Sequence, residues 1–188
     1  MMKAELLNLA ENVEIDGVEY KINTDFSVWI EIEQIFLLKE DGKEAAAKIL
    51  SLAYPYLPHN PVAAFEKVVW FYSGGMDAEK TERKCFGAPL YDLKRDFKFL
   101  WADFLGKFGI DLLKTNMHWW QFRLLISALD DGCKFPKVVG YRSLDTAKIK
   151  NKELKNFYEK MKKQYKLPDI RTDEEREEEL ADILSGAF

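Results

Sequence analysis

The side chains best suited to metal or nucleophile chemistry are few: two histidines, His59 and His118, and two cysteines, Cys85 and Cys133. A zinc site draws three or four such donors together, commonly as Cys-x-x-Cys or His-x-x-x-His pairs. None of the four falls in such a pair, so no metal and no cofactor are expected. A serine nucleophile of the hydrolase type sits in a Gly-x-Ser-x-Gly turn, which this chain lacks. His118 stands directly before Trp119 and Trp120 on an apolar stretch, where a partly buried, hydrogen-bonded imidazole is the expected state and a catalytic base is not. "SGGMDAEK" holds two glycines without the Gly-x-x-x-x-Gly-Lys spacing, and it follows a helical pattern where a phosphate loop follows a strand. These readings point away from an enzyme.

Charge is the next chemistry. From Lys134 to Lys166 there are ten lysines and one arginine against Asp145, Glu153 and Glu159, a local charge of +8. Phe157, Tyr158 and Tyr165 lie among them, the mix of cations and stacking rings found in single-strand binders. The competing expectation is that Leu154, Phe157, Tyr158 and Met161 form a core-facing stripe and leave the lysines as a solvated face. The following stretch, Asp173 to Asp182 with Arg171 and Arg176 counted, is net −5, so pairing of the two segments within or between chains competes with phosphate binding. The candidate partner-binding residues are Phe99, Trp119, Trp120, Arg142, Lys148, Lys150, Lys152, Lys155, Lys162 and Lys163.

The whole chain carries a formal charge of −4 over 188 residues, which exerts no general pull on nucleic acid or anionic membrane. Nucleic acid is therefore not the expected partner. No apolar run approaches the roughly 18–20 residues of a membrane span, and the start does not read as a signal peptide. Both thiols are expected free in a reducing cytoplasm. Hydrophobic residues at 47% and aromatics at 14% predict a globular core.

The elements that position these residues read as mainly α: a compact domain of about six to seven helices over 1–168, an N-terminal β-hairpin at about 12–22, and an acidic helical appendage at 169–188. In "NVEIDGVEYKINTD" two alternating runs flank Asp16-Gly17, a two-residue hairpin turn; the hairpin must lie on helices or pair with another chain. Thr24 or Asp25 caps a helix with Val28, Trp29, Ile32, Ile35 and Phe36 on one stripe, and Glu31, Gln34 and Lys39 elsewhere. "KEAAAKILSLA" is a second helix, stopped by the prolines of "YPYLPHNP". Asn60-Pro61 starts a third, which runs to Gly74-Gly75. A polar loop follows. Then Leu93, Phe97, Leu100, Trp101, Phe104, Leu105 and Phe108 recur at helical spacing, with Asp92, Lys94, Arg95, Asp96, Lys98, Asp103 and Lys107 on the other face and Gly109 as the stop. "TNMHWWQFRLLISAL" is a further helix, "CKFPKVVGYRSLD" an ordered connection, and "NKELKNFYEKMKKQY" a basic helix. At 100° per residue, Met117, Trp120, Leu124 and Ala128 fall in one sector, and Trp119, Phe122, Leu125, Ile126 and Leu129 in another. Two apolar faces predict two packing partners, at least one of them the protein's own core.

The run "HWWQFRLLISAL", followed by "CKFPKVVGYRSLDTAKIK" and "KNFYEKMKKQYKLPD", resembles the C-terminal half of the phage Gp-fifteen family, encoded in tail gene clusters of tailed phages and prophages of Gram-positive bacteria. "TDFSVWIEIEQI", "WFYSGG" and "YDLKRDFKFLWADFLGKFGIDL" resemble its earlier segments, so the likeness covers nearly the whole chain. The stretch after Asp169 is the least distinctive. The resemblance implies a non-enzymatic tail assembly chaperone, with the tape-measure protein and tail-tube subunits as partners and self-association as a further expectation. It also implies action in the host bacterial cytoplasm and absence from the mature virion. A nucleic-acid-binding accessory protein using residues 134–166 and a minor structural tail or connector protein are the alternatives. No catalytic residue is carried over from the family.

Overall fold

The computed structural model describes residues 9–38, 42–75 and 89–168. Among them the chain forms an antiparallel hairpin, β1 (Asn12–Ile15) with β2 (Val18–Lys21), and seven α-helices. The helices are α1 (Phe26–Leu38), α2 (Gly42–Ala53), α3 (Pro61–Tyr72), α4 (Phe97–Phe108), α5 (Trp119–Ser127), α6 (Lys134–Ser143) and α7 (Lys152–Gln164), with a 3-10 turn at Thr146–Lys148. The fold is mainly α with a hairpin at the front, as the sequence pattern predicts.

Asp16 and Gly17 both take positive φ, 50° and 79°, the geometry that lets a two-residue turn follow the twist of its strands. The period of two then buries Val13 and Ile15 and exposes Asn12 and Glu14. The hairpin lies against α3. Its turn is fastened there by Asn60 Nδ2, which donates to Asp16 Oδ2 at 2.8 Å, and by the Tyr20 hydroxyl, 2.6 Å from His59 Nδ1. Asn60 also caps α3 by accepting from the Ala63 N–H, ahead of Pro61 at the first helical position.

Helix α1, capped by Asp25 through the Ser27 N–H, occupies the middle of the molecule between α2 and α5. Trp29, Ile32 and Ile35 are buried as the stripe predicts, while Val28 and Phe36 are only half-buried. Ile30 and Glu33 are buried as well, so α1 is covered over more than one face. A short antiparallel bridge between Asp25 and His118 ties its start to the start of α5, through Phe26 N–H to Met117 O at 2.9 Å and Trp119 N–H to Thr24 O at 2.7 Å.

Several sequence expectations need correction. The helix expected from Leu93 begins at Phe97, and Asp92 and Asp96, expected on its solvated face, are buried. Each has a partner: the Arg142 guanidinium holds Asp96 through two bonds of 2.6 and 2.8 Å, and Asp92 accepts from Gln34 Nε2 and from the Arg95 N–H, both at 2.9 Å. A buried carboxylate is tolerated when it is paired in this way. Leu105, expected on the apolar face, is exposed. The segment "CKFPKVVGYRSLD" is not a connection but contains helix α6. Pro136 and Gly140 argue against a helix locally, yet a proline in the first turn removes an N–H that has no intrahelical partner. The N–H groups of Lys134 and Phe135 donate instead to the two oxygens of Asp103 on α4, at 2.8 and 2.7 Å. Finally, Leu154 and Phe157 on α7, expected to face the core, are exposed. Lys39, the polar loop at 76–88 with Cys85, and the acidic segment 169–188 lie outside the described residues.

The Asp96–Arg142 pair predicts a stability result. Arg142→Met strands a buried carboxylate and should cost about 3–5 kcal/mol, and adding Asp96→Asn should recover part of that loss. Urea denaturation of the two variants checks it, and equal midpoints for wild type and Arg142→Met would contradict the account.

Candidate interaction surface

The His-Trp-Trp segment is a helix-end closure. His118 has extended backbone and is the N-cap of α5 rather than part of the helix. Its Nδ1 accepts the Trp120 N–H at 3.1 Å, so the ring proton resides on Nε2 and is donated to the Ala10 carbonyl at 3.0 Å. The imidazole is the partly buried, hydrogen-bonded group that the sequence predicts. The Trp119 indole N–H donates to Tyr72 O at 3.0 Å, and that of Trp120 to Phe71 O at 2.7 Å. Arg123 adds a bond to Tyr72 O at 2.6 Å. These acceptors belong to the last turn of α3, whose carbonyls have no intrahelical donors.

Gly74 and Gly75 turn the chain away from α3 with φ of 82° and 79°. A Cβ at Gly75 would lie 3.0 Å from the Trp120 ring, so the second glycine is required by conformation and by the approach of the indole. Of the two apolar faces expected around α5, the one with Trp119 buries Trp119, Phe122 and Leu129. The one with Trp120 buries Met117 and packs Trp120 on Trp70 and Phe71, at ring distances of 5.5 and 5.1 Å, but leaves Leu124 exposed. Both tryptophans are therefore engaged within the chain.

Beside this closure lies a buried acid that sequence reading missed. Glu33 accepts the Tyr72 hydroxyl on Oε1 at 2.9 Å, while its Oε2 is buried without a hydrogen-bond partner among the described residues. Desolvation pushes its pKa up to about 7, with the Tyr72 bond working against the rise. Periodicity could show only that position 33 lies next to an apolar stripe.

The remaining candidate residues divide by direction. Phe99 is half-buried, its ring 5.9 Å from that of Tyr165. Arg142 turns inward to Asp96, with its side chain 8% exposed, in contrast to the expected partner contact. Lys148 pairs with Asp145 at 3.2 Å and Lys155 with Glu159 at 3.9 Å, and Lys162 donates to Leu144 O at 2.9 Å. Lys150, Lys152 and Lys163 are exposed and form no ion pair among the described residues.

Helix α7 carries Lys152, Lys155, Lys162 and Lys163 on an open edge. It is strongly amphipathic and packs on α6 and the 3-10 turn. Tyr141 of α6 lies against Tyr158 and Tyr165, with ring distances of 6.2 and 5.9 Å, which leaves Tyr158 and Met161 half-buried. Leu154 and Phe157, on the same apolar side, are 47% and 48% exposed. The result is an apolar strip with lysines on its far flanks. Among the described residues no group of His, Cys, Asp or Glu is placed to hold a metal ion, and no helix is long and apolar enough to cross a membrane.

Fold and surface together define a mainly helical domain, opened by a hairpin, that leaves one amphipathic helix half-covered. The family model described as "Bacteriophage Gp15 protein" matches residues 6–167, and the chain belongs to that family of bacteriophage proteins. No curated protein and no solved structure matches it.

Two measurements probe the closure. A carboxyl whose pKa is higher folded than unfolded binds more protons in the folded state, so stability falls as pH rises from about 4.5 through about 7. Glu33→Gln should flatten that decline and gain on the order of 1–3 kcal/mol at pH 8; an unchanged pH profile would refute the assignment. Trp120→Phe should cost about 1–2 kcal/mol through the lost indole bond. Combined with Gly75→Ala it should cost less than the sum, because both changes act on one contact.

Proposed function

We propose that this chain is a tail assembly chaperone: a non-catalytic protein that binds the helical tape-measure protein in the host cytoplasm, helps recruit tail-tube subunits, and leaves before the virion is complete. Family membership supports a phage role. The observation that carries the reading further is the uncovered strip on α7, where Leu154 and Phe157 remain about half exposed. An amphipathic helix of a client buries its stripe against such an edge, with anchors at i, i+3 and i+4. The lysines flanking the strip then meet polar and acidic residues at its margin.

The size of the strip bears on how a chaperone would use it. Covering two half-exposed side chains yields roughly 2–3 kcal/mol at about 25 cal/mol per Å², far too little for one subunit to hold a client alone. Many copies along one long helix, in contact with their neighbours, raise the avidity by orders of magnitude and still release one at a time. This is the physical case for self-association.

Co-expression with the tape-measure protein of the same phage should yield a soluble complex, and Leu154→Asp with Phe157→Asp should lower its recovery about tenfold, equivalent to 1.4 kcal/mol. An insoluble tape measure with no complex recovered would overturn the proposal. A second reading, a nucleic-acid accessory protein, is favoured by the exposed Lys150, Lys152 and Lys163. It requires retention on DNA or RNA at about 50 mM salt that falls steeply as salt rises, and no retention there would end it.

A further inference from the structure

The strip on α7 is apolar along one side and basic on the others, and the same chain supplies a segment of opposite character shortly after the helix ends. Residues 173–184 carry seven acidic side chains and three larger apolar ones, Leu180, Ile183 and Leu184, at the i, i+3, i+4 spacing of a helical stripe. Eight residues, 165–172, separate this segment from Gln164. Connections of that length join helices that return antiparallel to each other.

Register is the discriminating observation. With residue 173 set beside Gln164 and the same rise per residue in both directions, Leu180 falls level with Phe157 and Ile183 level with Leu154. In that same register Glu174 falls level with Lys163, Glu175 with Lys162, Glu177 with Lys160 and Asp182 with Lys155. The one like-charged level is Glu178 with Glu159. A parallel alignment that matches Leu180 to Leu154 and Ile183 to Phe157 sets Lys160 beside Gly186 and Lys162 beside Phe188, and so loses most of the charge matches.

We infer that residues 173–184 dock in cis along α7, antiparallel to it, covering Leu154 and Phe157. Lys160, which forms no ion pair among the described residues, lies on one flank of the strip, and at 100° per residue the antiparallel pairing brings Glu179 to that flank within about two residues of rise. The docked segment occupies the surface proposed above for the client, so it acts as an internal competitor that an incoming helix displaces. This consequence rests on the chaperone reading; the docking itself does not. An internal competitor keeps the strip from pairing with unrelated helices and lowers the apparent client affinity by the fraction of chains that are closed.

The test uses the full chain. In a background of Cys85→Ser and Cys133→Ser, Phe157→Cys is paired with Leu180→Cys and exposed to oxidised glutathione. The expected product is a monomer with an internal disulfide, formed at least about tenfold faster than with the off-register pair Phe157→Cys and Ala187→Cys, because docking raises the effective thiol concentration. Equal rates would overturn the inference, and so would exclusive formation of disulfide-linked dimers, which would assign the strip to a second copy. A cysteine-free measurement runs alongside: Leu180→Asp with Ile183→Asp should speed amide exchange across 152–164, and unchanged exchange counts against docking. If the disulfide fails while client capture still depends on Leu154 and Phe157, only this inference falls. If capture fails while the disulfide forms, only the chaperone reading falls.

Discussion

The C-terminal end of α3 is the point on which the other contacts depend. A helix end buried in a protein has carbonyl groups that must find donors; here the N–H groups of Gly74 and Gly75 reach Phe71 O and Trp70 O, and α5, about 50 residues further along the chain, supplies the rest. Trp119, Trp120 and Arg123 reach Phe71 O and Tyr72 O with indole and guanidinium N–H groups. The indoles satisfy polar groups while their rings pack. Trp119 stacks between Trp29 and Tyr72, at ring distances of 6.2 and 5.6 Å, so one residue joins α1, α3 and α5. His118 fixes where α5 begins, and the bridge to Asp25 fixes where α1 begins relative to it. The glycine pair after α3 leaves room for the second indole.

A similar economy governs the other half of the domain. Helix α6 begins where Asp103 of α4 accepts its first N–H groups, and it is locked at its other end by Arg142 reaching back to Asp96 before α4. The same guanidinium donates to the carbonyls of Leu90 and Tyr165. Charged side chains here do the work of caps and clamps, and their interior positions orient α6 on α4. Helix α7 is attached last, through the tyrosines of α6 and the 3-10 turn. With contacts on few sides, it keeps part of its apolar stripe open. The surface proposed for a partner is thus the element with the least internal packing, where a helix can accept a second helix without disturbing the core.

The charge pattern of the chain takes on meaning from that attachment. The basic stretch that suggests phosphate binding is divided between pairs within α7 and its turn, a bond from Lys162 to Leu144 O, and lysines facing solvent. The last group lies beside exposed apolar side chains, an arrangement that suits an amphipathic protein segment with acidic margins. Family membership places this surface in a bacteriophage protein, and the opposed charges of the two C-terminal segments supply its nearest candidate occupant.

Local chemistry determined much of this protein. Asp16-Gly17 dictated the hairpin, Asn60-Pro61 the start of α3 and Gly109 the stop of α4, because each of these signals acts within four residues of its own backbone. His118 could be recognised as a structural imidazole because apolar neighbours leave it little else to do. Helix α6 was hidden because its cap comes from Asp103, some thirty positions earlier. Asp92 and Asp96 looked like surface acids, and Glu33 went unnoticed, because a residue's periodic position does not reveal which distant donor will reach it. The exposure of Leu154 and Phe157 was likewise undetermined, since a helical stripe shows which residues share a side and not whether anything covers them. Burial is a property of the assembled fold, decided by where non-adjacent elements meet, and only the tertiary structure contains that information.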